Sequence, residues 1–223
     1  MNYKINGNCI LSHNAAKPHS QVCKVVLEEL RSLTGISSIL DIGCGKLRYS
    51  EHLYDISKRI CFADSKIQLE RIQTIKGKKC SVKEYVAHHY PESKTVDVED
   101  FDELTETFDF VFCSNVLSAI PCEKTLNSTI RRIKECLSAT GQALVVNQHR
   151  SSYFKKFESG KPHLHGYLYS GKRGTSYYGI ITKEVIDSLS KKHGLIANSF
   201  VKGDRTFAYL KRSSIESTHV KAA

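Results

Sequence analysis

Residues Ile39 to Ser50 read I-L-D-I-G-C-G-K-L-R-Y-S. The run from Ile36 to Ile42 is apolar and β-branched, which is the signature of a short strand. Gly43 and Gly45 follow it. Glycines at this spacing let the chain turn tightly and bring its backbone close to a ligand. A dinucleotide fingerprint would add a third glycine, which is missing here, and would hold a pyrophosphate over the turn. Asp41, two residues ahead of the first glycine, is unwelcome beside a pyrophosphate. The loop is therefore expected to serve a ligand with a positively charged group.

Outward from this loop the pattern alternates between strand and helix. On the N-terminal side, Val22, Val25, Val26, Leu27, Leu30 and Leu33 predict a helix over Lys17 to Leu33, stopped by Gly35. On the other side the expected order is a helix over Leu47 to Ser57, then a strand over Arg59 to Ala63 ending at Asp64. A helix capped by Ser65 runs to Ile75 and ends at Gly77. Ser81 to Pro91 reads as a helix and its exit, and Lys94 to Val98 as a weak third strand. F-D-F-V-F-C-S at Phe108 to Ser114 is a strand buried on both faces. Pro121 opens a helix through Leu137, broken by Gly141, and Gln142 to Gln148 is a fifth strand. Thr182 caps a helix to His193, stopped by Gly194. Leu195 to Val201 and Thr206 to Leu210 close the chain as a hairpin around Gly203 and Asp204.

This alternation predicts an α/β fold: a mostly parallel sheet, helices on both faces, and an antiparallel strand from the C-terminal hairpin. Such a sheet binds ligands at the carboxyl ends of its strands, where the strand order reverses. The glycine loop after the first strand should line that site.

The arrangement D-x-G-x-G after an apolar strand resembles motif I of the class I S-adenosylmethionine-dependent methyltransferases, and the likeness extends over residues 12 to 211. The resemblance implies a Rossmann-like, seven-stranded sheet and S-adenosylmethionine as cofactor. It also implies roles for particular residues. Asp41, Gly43, Cys44 and Gly45 would hold the methionine end, with its cationic amino group. Asp64, 23 residues beyond Asp41, and its neighbour Ser65 would hold the ribose. Asp97 and Val98 would flank the adenine, with Asp100 as the other available acid. Asp109, Ser114 and Asn115 fall on the functional positions of the family's fourth strand. The sequence departs from the family at Leu47 and at Lys46, a cation beside the cofactor loop.

The acceptor is less legible. S-N-V-L at Ser114 to Leu117 is not the Asn/Asp-Pro-Pro-Tyr/Phe run of enzymes that methylate amino groups of bases. Pro121-Cys122 lies too far along to be the nucleophile of cytosine-5 enzymes, and reads as the first turn of a helix. The segment from Arg150 to Tyr178 interleaves Arg150, Lys155, Lys156, Lys161, Lys172 and Arg173 with aromatic residues. Cations that track phosphates and rings that stack on bases point to a nucleic-acid or nucleotide-like acceptor; tyrosines packed on the sheet of a solvated hairpin are the alternative. A net charge of +10 agrees with a polyanionic partner. Asn115, His149, His165 and Tyr178 are the candidate catalytic residues on the acceptor side. His163 and His165 alternate as on one strand face, but no supporting ligand is spaced for a metal, and none is expected. Ser12, His13 and His19 belong to a segment that would fold over the cofactor.

Short motifs (C-I-L-S-H-N-A-A-K-P-H-S at Cys9 to Ser20, N-V-L-S-A-I and R-G-T-S-Y-Y) also resemble small methyltransferases associated with DNA phosphorothioation and other phage-defence loci. The remaining readings are a small-molecule methyltransferase and a binding module without turnover. One domain over residues 1–211 is expected, with an N-terminal segment and helix at 1–34 and a substrate-side insertion at 150–181. A frayed tail at 212–223 follows. Eight scattered cysteines, no secretory signal and no membrane-length apolar run predict a cytoplasmic protein. The oligomeric state is open.

Overall fold

The computed structural model of the chain describes residues 2–5, 7–11, 16–148, 152–172 and 174–213. The N-terminal strands β1 (Asn2–Ile5) and β2 (Asn8–Leu11) precede helix α1 (Lys24–Arg31). Then come β3 (Ile39–Ile42), α2 (Ser50–Ile56), β4 (Ile60–Asp64) and α3 (Lys66–Glu70). A small hairpin, β5 (Gln73–Ile75) and β6 (Lys78–Cys80), leads to α4 (Val82–His89) and β7 (Lys94–Asp97). The next elements are β8 (Phe108–Ser114), α5 (Glu123–Cys136) and β9 (Leu137–Gln148). After α6 (Ser152–Lys155) come β10 (Lys161–His163), β11 (Gly166–Gly171) and β12 (Gly174–Gly179). Helix α7 (Lys183–Lys192) and the hairpin β13 (Leu195–Lys202) and β14 (Arg205–Arg212) end the described chain.

Seven strands form the central sheet in the order β13-β14-β9-β8-β3-β4-β7. β3 pairs in parallel with β4 on one side and β8 on the other, so the order reverses between β3 and β8. β14 runs antiparallel to both β9 and β13. The two faces follow the alternation of side chains along each strand. Leu40, Ile42, Val111, Cys113, Ala143 and Val145 pack with Ile130 and Ile133 of α5 and Ile186 of α7. Ile39, Phe110, Phe112, Leu144 and Val146 point the other way, onto Val26 and Leu30 of α1, Leu53 of α2 and Val86 of α4. Each buried Val, Leu, Ile or Phe among them contributes about 1.5–3 kcal/mol relative to exposure. The α/β fold expected from the sequence is the one observed.

A second sheet caps one end of the molecule. It has the order β1-β2-β12-β11-β10 and is held by a parallel pairing of Ile10 with Thr175. Its core is Ile10, Leu168 and Tyr177. No strand was expected in the N-terminal segment, because its partner lies far along the chain and leaves no local pattern.

Several expectations need correction. Helix α1 starts at Lys24, not Lys17: the chain from Pro18 makes one 3-10 turn, and Val22 and Cys23 are extended. Residues 71–75 are not helical. Lys76 and Gly77 both adopt positive φ (47° and 83°), the geometry of a tight hairpin turn, and the β-branched residues before it join β5. Ser65 stands at the N-terminus of α3 but makes no capping bond; Asp64 receives its amide and hydroxyl instead. Gly141 does not stop α5, which ends at Cys136. It lies inside β9, at the register shift opposite β8, where a Cβ would crowd the Phe108 carbonyl. Thr182 does cap α7, accepting the Val185 amide, and Gly194 at φ 68° ends it. The expected tail at 212–223 lies outside the described residues apart from Arg212 and Ser213. Among the described residues, no helix is long and apolar enough to cross a membrane.

Candidate functional site

A cavity of about 270 Å³ opens at the carboxyl ends of β3, β4 and β8, where the sheet order reverses. The glycine loop forms its floor. Gly43 (φ 73°) and Gly45 (φ 57°) turn the chain out of β3, and a Cβ on Gly43 would overlap the Val116 side chain. The loop is tied to its neighbours through the backbone. Gly43 and Cys44 donate to the Ala63 carbonyl at 2.7 and 3.1 Å. Gly45 donates to the Asp64 carboxylate at 2.8 Å, and the buried Gln68 donates to the Gly45 carbonyl at 2.7 Å.

Leu47 answers for the missing glycine. It keeps the left-handed backbone that a glycine would take (φ 56°), at a strain of about 1–2 kcal/mol. Its side chain is fully buried with Val26, Leu30 and Leu53, which offsets that strain. Lys46 is not part of the cavity wall.

Two carboxylates meet at this end of the cavity. Burial, and secondly the charge of Asp64, push the Asp41 carboxyl up to about 8. Asp64 is also raised by burial, although the Gly45 and Ser65 amides oppose the shift. A buried acid pair of this kind favours a cation against it, since a positive charge would relieve both terms. Val98, Phe101 and Ile120 give the wall an apolar patch, with the Arg132 guanidinium 5.7 Å over the Phe101 ring. Acids at one end, a glycine cradle and an apolar slot at the other fit a sulfonium amino acid joined to a purine nucleoside.

Of the expected cofactor residues, Asp41, Gly43, Cys44, Gly45, Asp64, Ser65, Val98, Ser114 and Asn115 all line this cavity. Asp97 does not. Its carboxylate accepts the Glu99 amide at 3.0 Å and starts a 3-10 turn over Val98–Glu103, which turns Phe101 inward in its place. Asp109 binds the Ser37 amide at 3.0 Å near the opposite end of β8. Asn115 sits at φ 61°, a conformation asparagine tolerates, and its carboxamide oxygen accepts the Gln148 amide at 3.0 Å. It thus joins the ends of β8 and β9.

The other acceptor-side candidates fall elsewhere. His149 lies outside the described residues, as do Ser12 and His13. His165 and Tyr178 belong to the cap and are not in the wall. Tyr178 stacks on Phe157 with centroids 3.4 Å apart. The chain reverses at Leu164 and His165, so His163 and His165 do not share a strand face; His163 bonds the Pro121 carbonyl at 2.8 Å. Among the described residues, no group of three side chains is arranged to hold a metal. His19 is exposed outside the wall, whereas Ala16 and Lys17 close over the glycine loop. Sequence reasoning missed Tyr3, Arg48, Tyr49, Gln68, Thr125 and Arg132, all in the wall. Only Gln68 carried a signal, as an amide one helical turn past the acid that ends β4.

The model of a methyltransferase domain family matches residues 14–186. The chain belongs to this family. As a methyltransferase domain, it has S-adenosylmethionine as its cofactor. It is 44% identical over 195 residues to YmfD, an uncharacterized protein of Escherichia coli K12, covering 87% of this chain and 88% of that one. The fold is similar to DhpI in complex with SAH, with a TM-score of 0.61, 13% identity, and 84% and 82% of the two chains covered. It is also similar to the 1,6-didemethyltoxoflavin N1-methyltransferase of Burkholderia thailandensis, with a TM-score of 0.58 at 12% identity. That match covers 85% of this chain and 76% of the other.

Proposed function

We propose that this methyltransferase domain transfers the methyl group of S-adenosylmethionine to a small molecule admitted between the glycine loop and the cap. The observation that carries the reading is the packing of the cap. Phe157 and Tyr178 stack face to face, Phe154 packs edge-on against both, and Tyr169 packs edge-on against Phe157. Rings committed to each other are not free to stack bases. The cavity, by contrast, has Ala16, Lys17 and Tyr3 of the N-terminal segment over it. The 1,6-didemethyltoxoflavin N1-methyltransferase, of similar fold, has 1,6-didemethyltoxoflavin bound together with S-adenosylhomocysteine.

In this reading Asp41 would hold the cationic amino end of the cofactor and Asp64 its ribose hydroxyls. Val98 and Phe101 would enclose the adenine. The bound cofactor supplies a methyl group on a positive sulfur, a good leaving group that needs no acid. The chain's task is to fix the geometry and exclude water. Tyr3 is poorly suited to be a base, because burial pushes its hydroxyl up to about 12. Burial raises Tyr49 as well. The described wall therefore orients an acceptor that is already nucleophilic. A binding module without turnover loses its motive, since Leu47 belongs to the core and Lys46 lies outside the wall.

The exposed Lys155, Lys156, Lys161 and Lys172 of the cap favour a second reading, a nucleic-acid or nucleotide-like acceptor, as the resemblance to defence-locus enzymes would have it. Incubation with methyl-labelled cofactor and separate pools of small metabolites, DNA, RNA and protein decides between them. Label is expected in the small-molecule pool; label confined to DNA or RNA overturns the first reading and supports the second.

A further inference from the structure

Gly45 adopts a left-handed backbone (φ 57°), and a glycine has little steric preference of its own to hold it there. Hydrogen bonds hold it instead, on both sides of the residue. Its amide donates to Oδ2 of Asp64 at 2.8 Å, and its carbonyl accepts Nε2 of Gln68 at 2.7 Å. Gln68 lies about one helical turn beyond Asp64, on α3, and is fully buried. Its Oε1 accepts Nη2 of Arg71 at 2.5 Å. The four residues form a relay that runs from Arg71 through Gln68 and Gly45 to Asp64.

Chemistry gives this relay one direction. A guanidinium only donates and a backbone carbonyl only accepts. Turning the Gln68 amide over would set Nε2 against the guanidinium and Oε1 against the Gly45 carbonyl, two repulsions inside a buried site. The amide therefore has a single orientation, and Gly45 is held with its N–H on Asp64. On the other oxygen, Oδ1, Asp64 accepts the Ser65 amide at 2.8 Å and the Ser65 hydroxyl at 3.4 Å. A carboxylate accepts about four hydrogen bonds, so these contacts orient the group and leave it capacity for a ligand hydroxyl.

We infer that Gln68 is a positioning residue for the cofactor: through Gly45 it sets the Asp64 carboxylate towards the ribose hydroxyls, and Arg71 sets Gln68. The inference rests on the reading in which Asp64 holds the ribose. Arg71 is outside the cavity wall, so its hydrogen bond reaches the cofactor only through Gln68. Its charge also attracts Asp64 through space. The decisive variant is therefore Gln68→Met, which keeps that charge, keeps a similar volume and breaks the relay.

The test is calorimetry on the full chain with S-adenosylhomocysteine and its 2′-deoxy counterpart. Wild type is expected to bind the 2′-deoxy compound about tenfold more weakly, the loss of a hydrogen bond to a charged group. In Gln68→Met, S-adenosylhomocysteine should bind about tenfold more weakly than to wild type and the 2′-deoxy compound by less than about threefold, so that discrimination falls to about threefold or less. Arg71→Met should discriminate between those two limits. Leu189→Ala, a core truncation in α7 outside the cavity wall, should discriminate as wild type does. Equal weakening of both compounds in Gln68→Met, with the ratio of wild type kept, overturns the inference and makes Gln68 merely structural. If Gln68→Met does not fold, the half-buried Arg71 carries the test, and a wild-type ratio in Arg71→Met overturns it. A wild type that binds both compounds equally removes the ribose from Asp64, and the underlying reading falls with the inference.

Discussion

The glycine-loop end of the cavity and the cap over it are built on opposite principles. The loop is local: Asp41, Gly43, Gly45 and Leu47 are consecutive odd positions of one short stretch, fixed by bonds to the adjacent β4 and α3. The cap is assembled from β1 and β2 and, far along the chain, β10, β11 and β12, joined by one parallel pairing and a core of three buried side chains. A site made locally tolerates little change and leaves a strong sequence pattern. A site made from distant pieces leaves almost none, and its free energy is thin.

Glycine substitutions break the comparison most sharply. Gly43→Ala combines positive φ with overlap of Val116 and is expected to destabilise the chain by about 2–4 kcal/mol and abolish cofactor binding. The same change at Gly7 in the cap, also at positive φ (78°) but with nothing within 4 Å, should cost only about 1 kcal/mol. Urea denaturation of both variants measures the contrast; equal losses would mean that the loop is no tighter than the cap.

Asp41→Asn comes next. Binding of S-adenosylmethionine should weaken on the order of 100-fold by calorimetry. Stability should move the other way. The Asp41 carboxyl lies at about 8 in the folded chain, above its ordinary value of 3.8, so the folded state binds this proton more tightly than the unfolded one. That stabilisation is complete below about pH 4 and is lost as pH rises to about 8. Without ligand, Asp41→Asn should therefore be more stable than wild type at pH 8, by a few kcal/mol at most, with the gap closing towards pH 4. Cofactor affinity of wild type should rise between pH 6 and 8, with release of a proton on binding. An unchanged affinity over that range would show that Asp41 is already ionised.

The smallest effect concerns the cap. Ile10→Ala removes a third of its buried core. Amide exchange in β2 and β12 should speed up about tenfold or more while β3 and β8 exchange as in wild type. Faster exchange throughout the central sheet would mean that the cap and sheet unfold as one unit.

The same contrast explains what was legible. The mostly parallel central sheet followed from strand–helix alternation, because β3, β4 and β8 are buried runs bounded by clear turn residues. Asp41 and Asp64 followed because strand ends place acids without reference to the rest of the chain. The helix expected through Ile75 failed because Gly77 reads as a helix stop, whereas with Lys76 it makes the hairpin turn between β5 and β6. Asp97, with Asp100 as the other available acid, reads as a ligand because it stands at a strand end, whereas here it serves its own turn.

The pairing of Ile10 with Thr175 also sets a schedule. Strand β2 leaves the ribosome early, yet its neighbour β12 is made on the order of 160 residues later, roughly ten seconds or more at ordinary synthesis rates. During that interval the first hairpin has no sheet to join. The roof of the cavity thus closes among the last events of folding, after β3, β4 and β8 have been synthesised.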